Sequence, residues 1–356
     1  MGNKKRNFDI SGPKHLKDIV DWNNADYRRS AISSLVQGVY VLESGRENST
    51  NAQPWYESFK FQIVELIKRD DQSIFGAIYK YFGTYPAPDS DELPRYVIAF
   101  RGTVGLKRLK TWGKDIMMNI KLLLNELEES SCFILAMDHV KRLVKENGAP
   151  NVWLAGHSLG AAIALLVGKK IIFEMKCFPK AYLFNPPFLS IPIDHLLKDG
   201  KVKKIIQTGR RSVKAALTVA AKPRNSQMKE HFHLLSCWTP HMFVNPGDVL
   251  CREYIDYFQR NVGDGKIMRL AESNSFGNLF NHVVRWKDLK NATHLLPSAE
   301  LIVNHSCPGP NIDDNIFFSY YHAHGIRQWW DREVRCQSTI YNIAQNDPQP
   351  TTEDPQ

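Results

Sequence analysis

One stretch of the chain, residues 152–168, constrains the fold more than any other. Residues 152–155 form a short apolar run typical of a buried strand, and residues 159–167 form an alanine- and leucine-rich run typical of a helix. The sequence Gly-His-Ser-Leu-Gly lies between them, with Ser158 at its centre. A strand that reverses into a helix this quickly strains the backbone at the serine, and side chains two positions before and after it would collide. Glycine occupies both positions, so the sequence predicts a strand, a strained turn and a helix.

The pattern G-x-S-x-G in this context is typical of a nucleophile elbow, the turn that presents a reactive serine at the edge of an α/β sheet. The pentapeptide alone is a weak signal. Here a strand pattern precedes it, and Ala161, Ala162 and Ala164 allow the following helix to pack closely on a sheet. The alternative is a structural turn whose serine has no chemical role. We favour Ser158 as a nucleophile, since the helix N-terminus beside it stabilises developing negative charge.

The chain is basic, with a formal net charge of +9 from 46 Lys and Arg against 37 Asp and Glu. A solvated basic surface explains this balance most simply, and no zinc-type cysteine pair or nucleic-acid-binding motif accompanies it, so we expect no nucleic-acid partner. Residues 201–229 hold nine of the basic residues and no acidic one. We interpret them as a basic helical insertion packed on the core, with peripheral membrane contact as the alternative.

The six cysteines are scattered without motif spacing, which indicates reduced thiols rather than a disulfide framework. The N-terminus has no apolar segment of the kind that a secretory signal requires, and no apolar run is long enough for a membrane span. These features predict a cytoplasmic protein. We expect neither a metal nor a cofactor.

Hydrophobic patterning divides the chain into an N-terminal arm (1–25), a folded domain (26–343) and a disordered tail rich in Pro, Asp and Thr (344–356). Within the domain, the apolar periodicity predicts several further elements. Helices are predicted at 27–42, 55–67, 104–144 and 254–258, and strands are predicted at 73–82, 95–100, 180–185 and 238–244. Residues 260–318 are predicted to be irregular, with several short elements.

The predicted strand 95–100 runs directly into Arg101-Gly-Thr103. A glycine just after a core strand lets the backbone approach a ligand closely. In an α/β-hydrolase fold, a loop amide at this point supplies half of an oxyanion hole, and the amide after the nucleophile, here that of Leu159, supplies the other half. Thr103 can contribute its amide and its hydroxyl. A simple strand-terminating turn is the alternative.

The predicted strand 238–244 leads into Asn245-Pro-Gly-Asp248. An apolar strand that ends in a turn presenting an aspartate is where a hydrolase fold places its acid. Asp248 is therefore the candidate acid, with Asp256 and Asp194 as alternatives. A surface aspartate without a catalytic role is the remaining explanation.

Six segments together resemble the class 3 (fungal-type triacylglycerol) lipases, over about residues 15–335. They are Phe100-Arg-Gly-Thr103, Trp112…Asp115, Gly156-His-Ser-Leu-Gly160, Asn185-Pro186, Asn245-Pro-Gly-Asp248 and Ala323-His324-Gly…Trp329. The chain is similar in particular to the plant branch often labelled GDSL esterase/lipase, although it holds no G-D-S-L nucleophile motif. The resemblance implies an α/β-hydrolase fold, with a central, mostly parallel sheet flanked by helices.

The resemblance also implies a Ser-Asp-His triad, in which Ser158 matches the nucleophile, Asp248 the acid and His324 the general base. Thr103 and the Leu159 amide match the oxyanion hole. A serine hydroxyl is a poor nucleophile until a neutral imidazole removes its proton, and a buried carboxylate holds that imidazole in one tautomer.

The histidine is the least constrained member, because the chain has twelve histidines. His322, His294 and His305 remain alternatives to His324. We expect His157, beside the nucleophile, to support packing and hydrogen bonding under the elbow rather than proton transfer.

These residues predict a serine hydrolase that cleaves carboxylic esters, with lipid acyl esters as the expected substrates, through an acyl-enzyme intermediate. Two alternatives stay open at this point. One is a non-catalytic protein that binds a lipid or a partner on a hydrolase fold. The other is an acyltransferase that uses the same triad with an alcohol in place of water.

Overall fold

The structure of the chain, a computed structural model, describes residues 13, 20–45, 55–84, 92–103, 127, 130–188, 226–263, 296–306 and 322–342. Several predictions fall outside these residues. They are the tail 344–356, most of the arm 1–25, most of the helix predicted at 104–144, the basic residues 201–225, and the alternative site residues Asp194 and His294.

An eight-stranded sheet forms the centre of the molecule, and its strands lie side by side in chain order. They are β1 (Phe61–Lys68), β2 (Ile74–Tyr81), β3 (Tyr96–Phe100), β4 (Val152–His157), β5 (Ala181–Phe184), β6 (His241–Val244), β7 (Ser298–Asn304) and β8 (Cys336–Asn342). Strands β3 to β7 pair in parallel, whereas β1, β2 and β8 pair antiparallel at the two sides. This topology confirms the predicted mostly parallel sheet of the α/β-hydrolase fold.

Helices cover both faces of this sheet. They are α1 (Ala25–Ser44), α2 (Ser131–Asn147), α3 (Leu159–Met175), α4 (Ser226–Ser236) and α5 (Glu253–Gly263), with short 3-10 helices at Trp55–Phe59, Ala149–Asn151 and Ile326–Trp330. Helix α1 and the 3-10 helix Ile326–Trp330 pack on one face, and helices α2 to α5 pack on the other. Each face buries its own hydrophobic cluster, so the sheet is the middle of three layers.

Helix α1 confirms the helix predicted at 27–42 and shows why it begins where it does. The side-chain oxygen of Asn24 accepts hydrogen bonds from the backbone amides of Asp26 and Tyr27, at 2.8 and 3.0 Å, as a helix N-cap does. The predicted apolar stripe is buried, with Ile32, Leu35, Val36 and Val39 all 0% exposed. None of the helices in the described ranges combines the length and apolar character that a membrane crossing needs.

The prediction of a helix at 55–67 is wrong. Residues Trp55–Phe59 form a 3-10 helix, and strand β1 follows. The register of β1 against β2 shifts between Ile63 and Glu65, and this irregularity breaks the alternation of apolar and polar residues by which a strand is recognised. Pairing with β2 therefore fixes a strand whose own sequence lacks strand periodicity.

The prediction of irregular structure over 260–318 missed strand β7, and strand β8 was not predicted either. β7 is buried along almost its whole length, so its residues show no alternation. β8 is largely exposed and holds few apolar residues, and its pairing with β7 makes it a strand. Helix α5 also extends beyond the predicted 254–258.

The sheet order places the turns after β3, β4, β5 and β6 at one edge of the sheet, since the carboxyl ends of parallel strands lie together. These turns carry Thr103, Ser158, Asn185 and Asp248 respectively. The fold therefore collects residues that are distant in sequence into one place.

Leu154 lies in the central strand β4 and is 0% exposed. We expect Leu154→Ala to lower the free energy of unfolding in urea by about 2–5 kcal/mol, through lost apolar burial and a cavity. Ile340 on the edge strand β8 is 70% exposed, so Ile340→Ala serves as the matched control and should change that free energy by less than about 0.5 kcal/mol. Equal losses in the two variants would contradict this placement of the strands.

Candidate active site

Ser158 lies at the junction of β4 and α3, with the strained backbone that the sequence predicts. Its φ is 56° and its ψ is −125°, which a residue with a side chain rarely adopts. The backbone amide of Ser158 donates to the carbonyl of Phe184 in the neighbouring strand at 3.0 Å. The turn is thus anchored to β5 while the serine is held in a high-energy conformation.

The two glycines of the elbow are needed because backbone segments approach one another there. A Cβ atom on Gly156 would lie 2.2 Å from the carbonyl oxygen of Gly160. A Cβ atom on Gly160 would lie 2.3 Å from the carbonyl oxygen of Phe100, at the end of β3. Side chains at either position would therefore push α3 away from the sheet.

The structure brings Ser158, His324 and Asp248 together. His324 Nε2 lies 3.1 Å from Ser158 Oγ, and His324 Nδ1 lies 2.8 Å from Asp248 Oδ2. An ionised carboxylate only accepts hydrogen bonds, so Nδ1 carries the imidazole proton and Nε2 is left to accept from the serine hydroxyl. This is the geometry that nucleophilic activation of a serine requires.

Asp248 is completely buried and surrounded by donors. Its Oδ2 accepts from His324, from the Asn185 amide at 2.8 Å and from the Cys251 thiol at 3.2 Å, and its Oδ1 accepts from the Leu250 backbone amide at 3.0 Å. Burial raises the pKa of Asp248, but His324 and the other donors outweigh it and hold this pKa below its usual value. The carboxylate is therefore ionised in its buried position.

Asn185 was not recognised as part of this site from its residue type, although it follows a buried strand and precedes two prolines. Its φ is 48°, and asparagine tolerates this left-handed conformation better than most residues. Its amide donates to Asp248 and to the carbonyl of Ala323 at 3.0 Å, while its oxygen accepts from the indole of Trp329 at 2.7 Å. Asn185 thus ties the aspartate to the segment that carries His324.

Three of the alternative site residues are described, and all three differ from Asp248 and Ser158 in burial. His322, His305 and Asp256 are exposed at the surface, whereas Asp248 and Ser158 are 0% and 3% exposed. His305 follows strand β7, and Asp256 lies on helix α5.

Thr103 lies in the turn after β3, which packs against the elbow. Its hydroxyl oxygen is buried and has no hydrogen-bond partner among the described residues. Arg101 fixes this turn, because its guanidinium donates to the carbonyls of Ile74 at 2.6 Å and Gly102 at 2.7 Å. Leu159 is the first residue of α3, where backbone amides have no acceptor within the helix. A buried hydroxyl without a partner among the described residues and the amides of a helix N-terminus suit a developing negative charge near the serine.

His157 makes the hydrogen bonds under the elbow that its position suggests. Its Nδ1 lies 2.8 Å from the hydroxyl of Tyr40, and its Nε2 lies 2.7 Å from the carbonyl oxygen of His324. Burial lowers the pKa of His157 to about 3, and the neighbouring His324 contributes in the same direction. His157 is therefore neutral near pH 7.

Two comparisons with known proteins agree with this geometry. The model of the family "Lipase (class 3)" matches residues 97–187, which run from β3 through the elbow to the turn after β5. A protein of Arabidopsis thaliana named "GDSL esterase/lipase" is 36% identical over 368 residues, which cover 96% of this chain and 99% of that protein. The family match and the near complete coverage of a 36% identical relative place this chain in the class 3 lipases, a family of ester hydrolases.

Proposed function

We propose that the protein hydrolyses carboxylic esters of lipids through an acyl-enzyme formed on Ser158. The continuous line of hydrogen bonds from Ser158 Oγ through His324 to the buried Asp248 carboxylate is the observation that carries the proposal. Family membership supports ester chemistry, and the name of the Arabidopsis relative supports a lipase or esterase role.

In the acylation step, His324 Nε2 takes the proton from Ser158 Oγ as this oxygen attacks the ester carbonyl. The imidazolium that forms is stabilised by the Asp248 carboxylate 2.8 Å from Nδ1. His324 then gives its proton to the leaving alcohol. Water, activated by the same imidazole, attacks the acyl-enzyme and releases the fatty acid.

The negative charge on the former carbonyl oxygen is stabilised by the backbone amides of Thr103 and Leu159 and by the Thr103 hydroxyl. The buried hydroxyl supports this role, because its lack of a partner among the described residues is costly unless a ligand atom supplies one. Fixed donors at such a site stabilise a transition state without reorganisation.

A cytosolic location is part of the same proposal, and the five cysteines in the described residues, all free thiols, support it. Peripheral membrane contact through residues 201–229 also stays a proposal. Residues 201–225 lie outside the described residues, and 226–229 begin helix α4.

We expect Ser158→Ala to abolish turnover of a short p-nitrophenyl ester and to leave the thermal unfolding midpoint within a few degrees of wild type. The substitution removes the attacking atom and no packing contact. A fluorophosphonate probe should label the wild type at Ser158 and leave the variant unlabelled. Near wild-type turnover in the variant, or no labelling of the folded wild type, would reject the proposal and favour a binding role.

Asp248→Asn should lower kcat by about 10⁴-fold, because an asparagine amide does not fix the imidazole tautomer that leaves Nε2 free to accept. Asp256→Asn is the matched control, since Asp256 is exposed on α5, and it should keep kcat within about two-fold of wild type. Steady-state kinetics on the same ester measure both. An equal fall in the two variants would remove Asp248 from the proposed triad.

Thr103→Val replaces the buried hydroxyl with a methyl group of similar size. The free energy of unfolding should stay constant or rise by about 1 kcal/mol, because an unpaired buried polar group is lost. The kcat should fall about 100-fold, because an oxyanion donor is lost. Thr103→Ser keeps the hydroxyl and should retain most of kcat; an unchanged kcat in Thr103→Val would remove the hydroxyl from the mechanism.

A further inference from the structure

Three parts of the proposed site meet at one pair of side chains outside the triad. Tyr40 lies on helix α1, and His157 is the last residue of β4. The Tyr40 hydroxyl contacts His157 Nδ1 at 2.8 Å and accepts from the backbone amide of Gly102 at 2.7 Å. His157 Nε2 contacts the carbonyl oxygen of His324 at 2.7 Å. The pair therefore links the oxyanion turn, the elbow and the loop of the base.

Only one arrangement of protons satisfies all three hydrogen bonds. The His324 carbonyl can only accept, so His157 Nε2 carries the N–H. A neutral imidazole has one N–H, so Nδ1 accepts, and the Tyr40 hydroxyl donates to it. The Tyr40 oxygen then accepts from Gly102, and every donor has an acceptor. Burial keeps His157 neutral, with a pKa of about 3, so this arrangement persists near pH 7.

The oxyanion turn rests directly on this pair. A Cβ atom on Gly102 would lie 2.7 Å from the Tyr40 hydroxyl and 2.9 Å from the His157 carbonyl oxygen, so only glycine fits this close to the pair. Tyr40 also occupies the Gly102 amide. The next amide along the turn, that of Thr103, is left to donate to an oxyanion. Because this amide belongs to the peptide group between Gly102 and Thr103, the position of Gly102 sets the direction in which the Thr103 N–H points.

The base is held at two points. Asp248 fixes the ring of His324 at Nδ1, and His157 fixes its backbone carbonyl. The rings of His157 and His324 lie with centroids 4.9 Å apart. Without the second contact, the loop of His324 could shift while its ring remained bound to the aspartate, and the distance of 3.1 Å from Nε2 to Ser158 Oγ would no longer be fixed.

We infer that Tyr40 and His157 are positioning residues, which set the oxyanion turn and the general base at the spacing that transition-state binding requires. This inference rests on the proposed function. Neither side chain contacts the reacting atoms, so both act through Gly102–Thr103 and His324. Errors of about 1 Å in such positions are enough to lower rates about 100-fold.

Tyr40→Phe tests this role with the smallest change, the loss of one oxygen. We expect kcat on a p-nitrophenyl ester to fall about 10- to 100-fold, with KM within about two-fold of wild type, because the transition state is affected more than the bound substrate. Tyr27→Phe is the matched control. Tyr27 lies on the same helix, is 5% exposed, and its hydroxyl has no hydrogen-bond partner among the described residues, so kcat should not change.

Two substitutions of His157 separate its two contacts. The side-chain amide of glutamine lies about where Nε2 of histidine lies, and the side-chain amide of asparagine lies about where Nδ1 lies. His157→Gln can keep the bond to the His324 carbonyl and loses the bond to Tyr40. Adding Tyr40→Phe to His157→Gln should then lower kcat by less than Tyr40→Phe does alone, because only the hydrogen bond from the Gly102 amide is left to lose. Adding Tyr40→Phe to His157→Asn, which keeps the Tyr40 contact, should lower kcat about as much as Tyr40→Phe does alone.

The outcomes are distinct. Full kcat in Tyr40→Phe, beside an inactive Ser158→Ala, overturns the positioning role and leaves the proposed function standing. An equal loss of kcat in Tyr27→Phe overturns it too, since general packing of α1 would explain both. If the wild type shows no ester turnover, or shows turnover that Ser158→Ala retains, both the proposed function and this inference are overturned. If Tyr40→Phe does not fold, kcat and KM of His157→Gln decide.

Discussion

The contact of α3 with the end of β3 is the constraint on which the site depends. The carbonyl oxygen of Phe100 lies where a side chain on Gly160 would begin, so the first turn of the helix sits directly on the strand. This approach forces Ser158 into its strained conformation and brings the oxyanion turn beside it. Packing of an apolar helix on a sheet supplies the free energy, and strain at the serine consumes part of it. The strained conformation of Ser158 is therefore a consequence of close packing.

A buried carboxylate is the second costly feature, and its surroundings explain how it is tolerated. Asp248 accepts four hydrogen bonds, of which two come from Leu250 and Cys251 in its own turn and two come from the distant residues Asn185 and His324. Asn185 follows β5 and is itself held by Trp329 from the 3-10 helix Ile326–Trp330. Gln328 of the same helix donates to the carbonyls of Ala323 and Gly325, on either side of His324. A buried charge is stable in such a network because none of its partners is free to leave.

The sequence predicted the features whose physics is local. Within seventeen residues, a strand is followed by a serine between glycines and then by an apolar helix. The sequence predicted β4, the elbow and α3 for that reason. Strand β8 was not predicted, because it becomes a strand only by pairing with β7. The roles of Asn185 and Tyr40 could not be predicted for a related reason. Their importance lies in contacts with Asp248 and His157, and residue type alone does not identify partners so distant in the chain.

Helix α1 and the 3-10 helix Ile326–Trp330 share one face of the sheet, and the guanidinium of Arg29 donates to the carbonyl of Trp329 at 2.9 Å. The N-terminal part of the fold is therefore completed by residues about three hundred positions later. During synthesis on a ribosome, the elbow emerges long before His324 does. In the proposed mechanism, the serine of a nascent chain therefore stays unactivated until the segment that carries His324 has been synthesised and packed beside it.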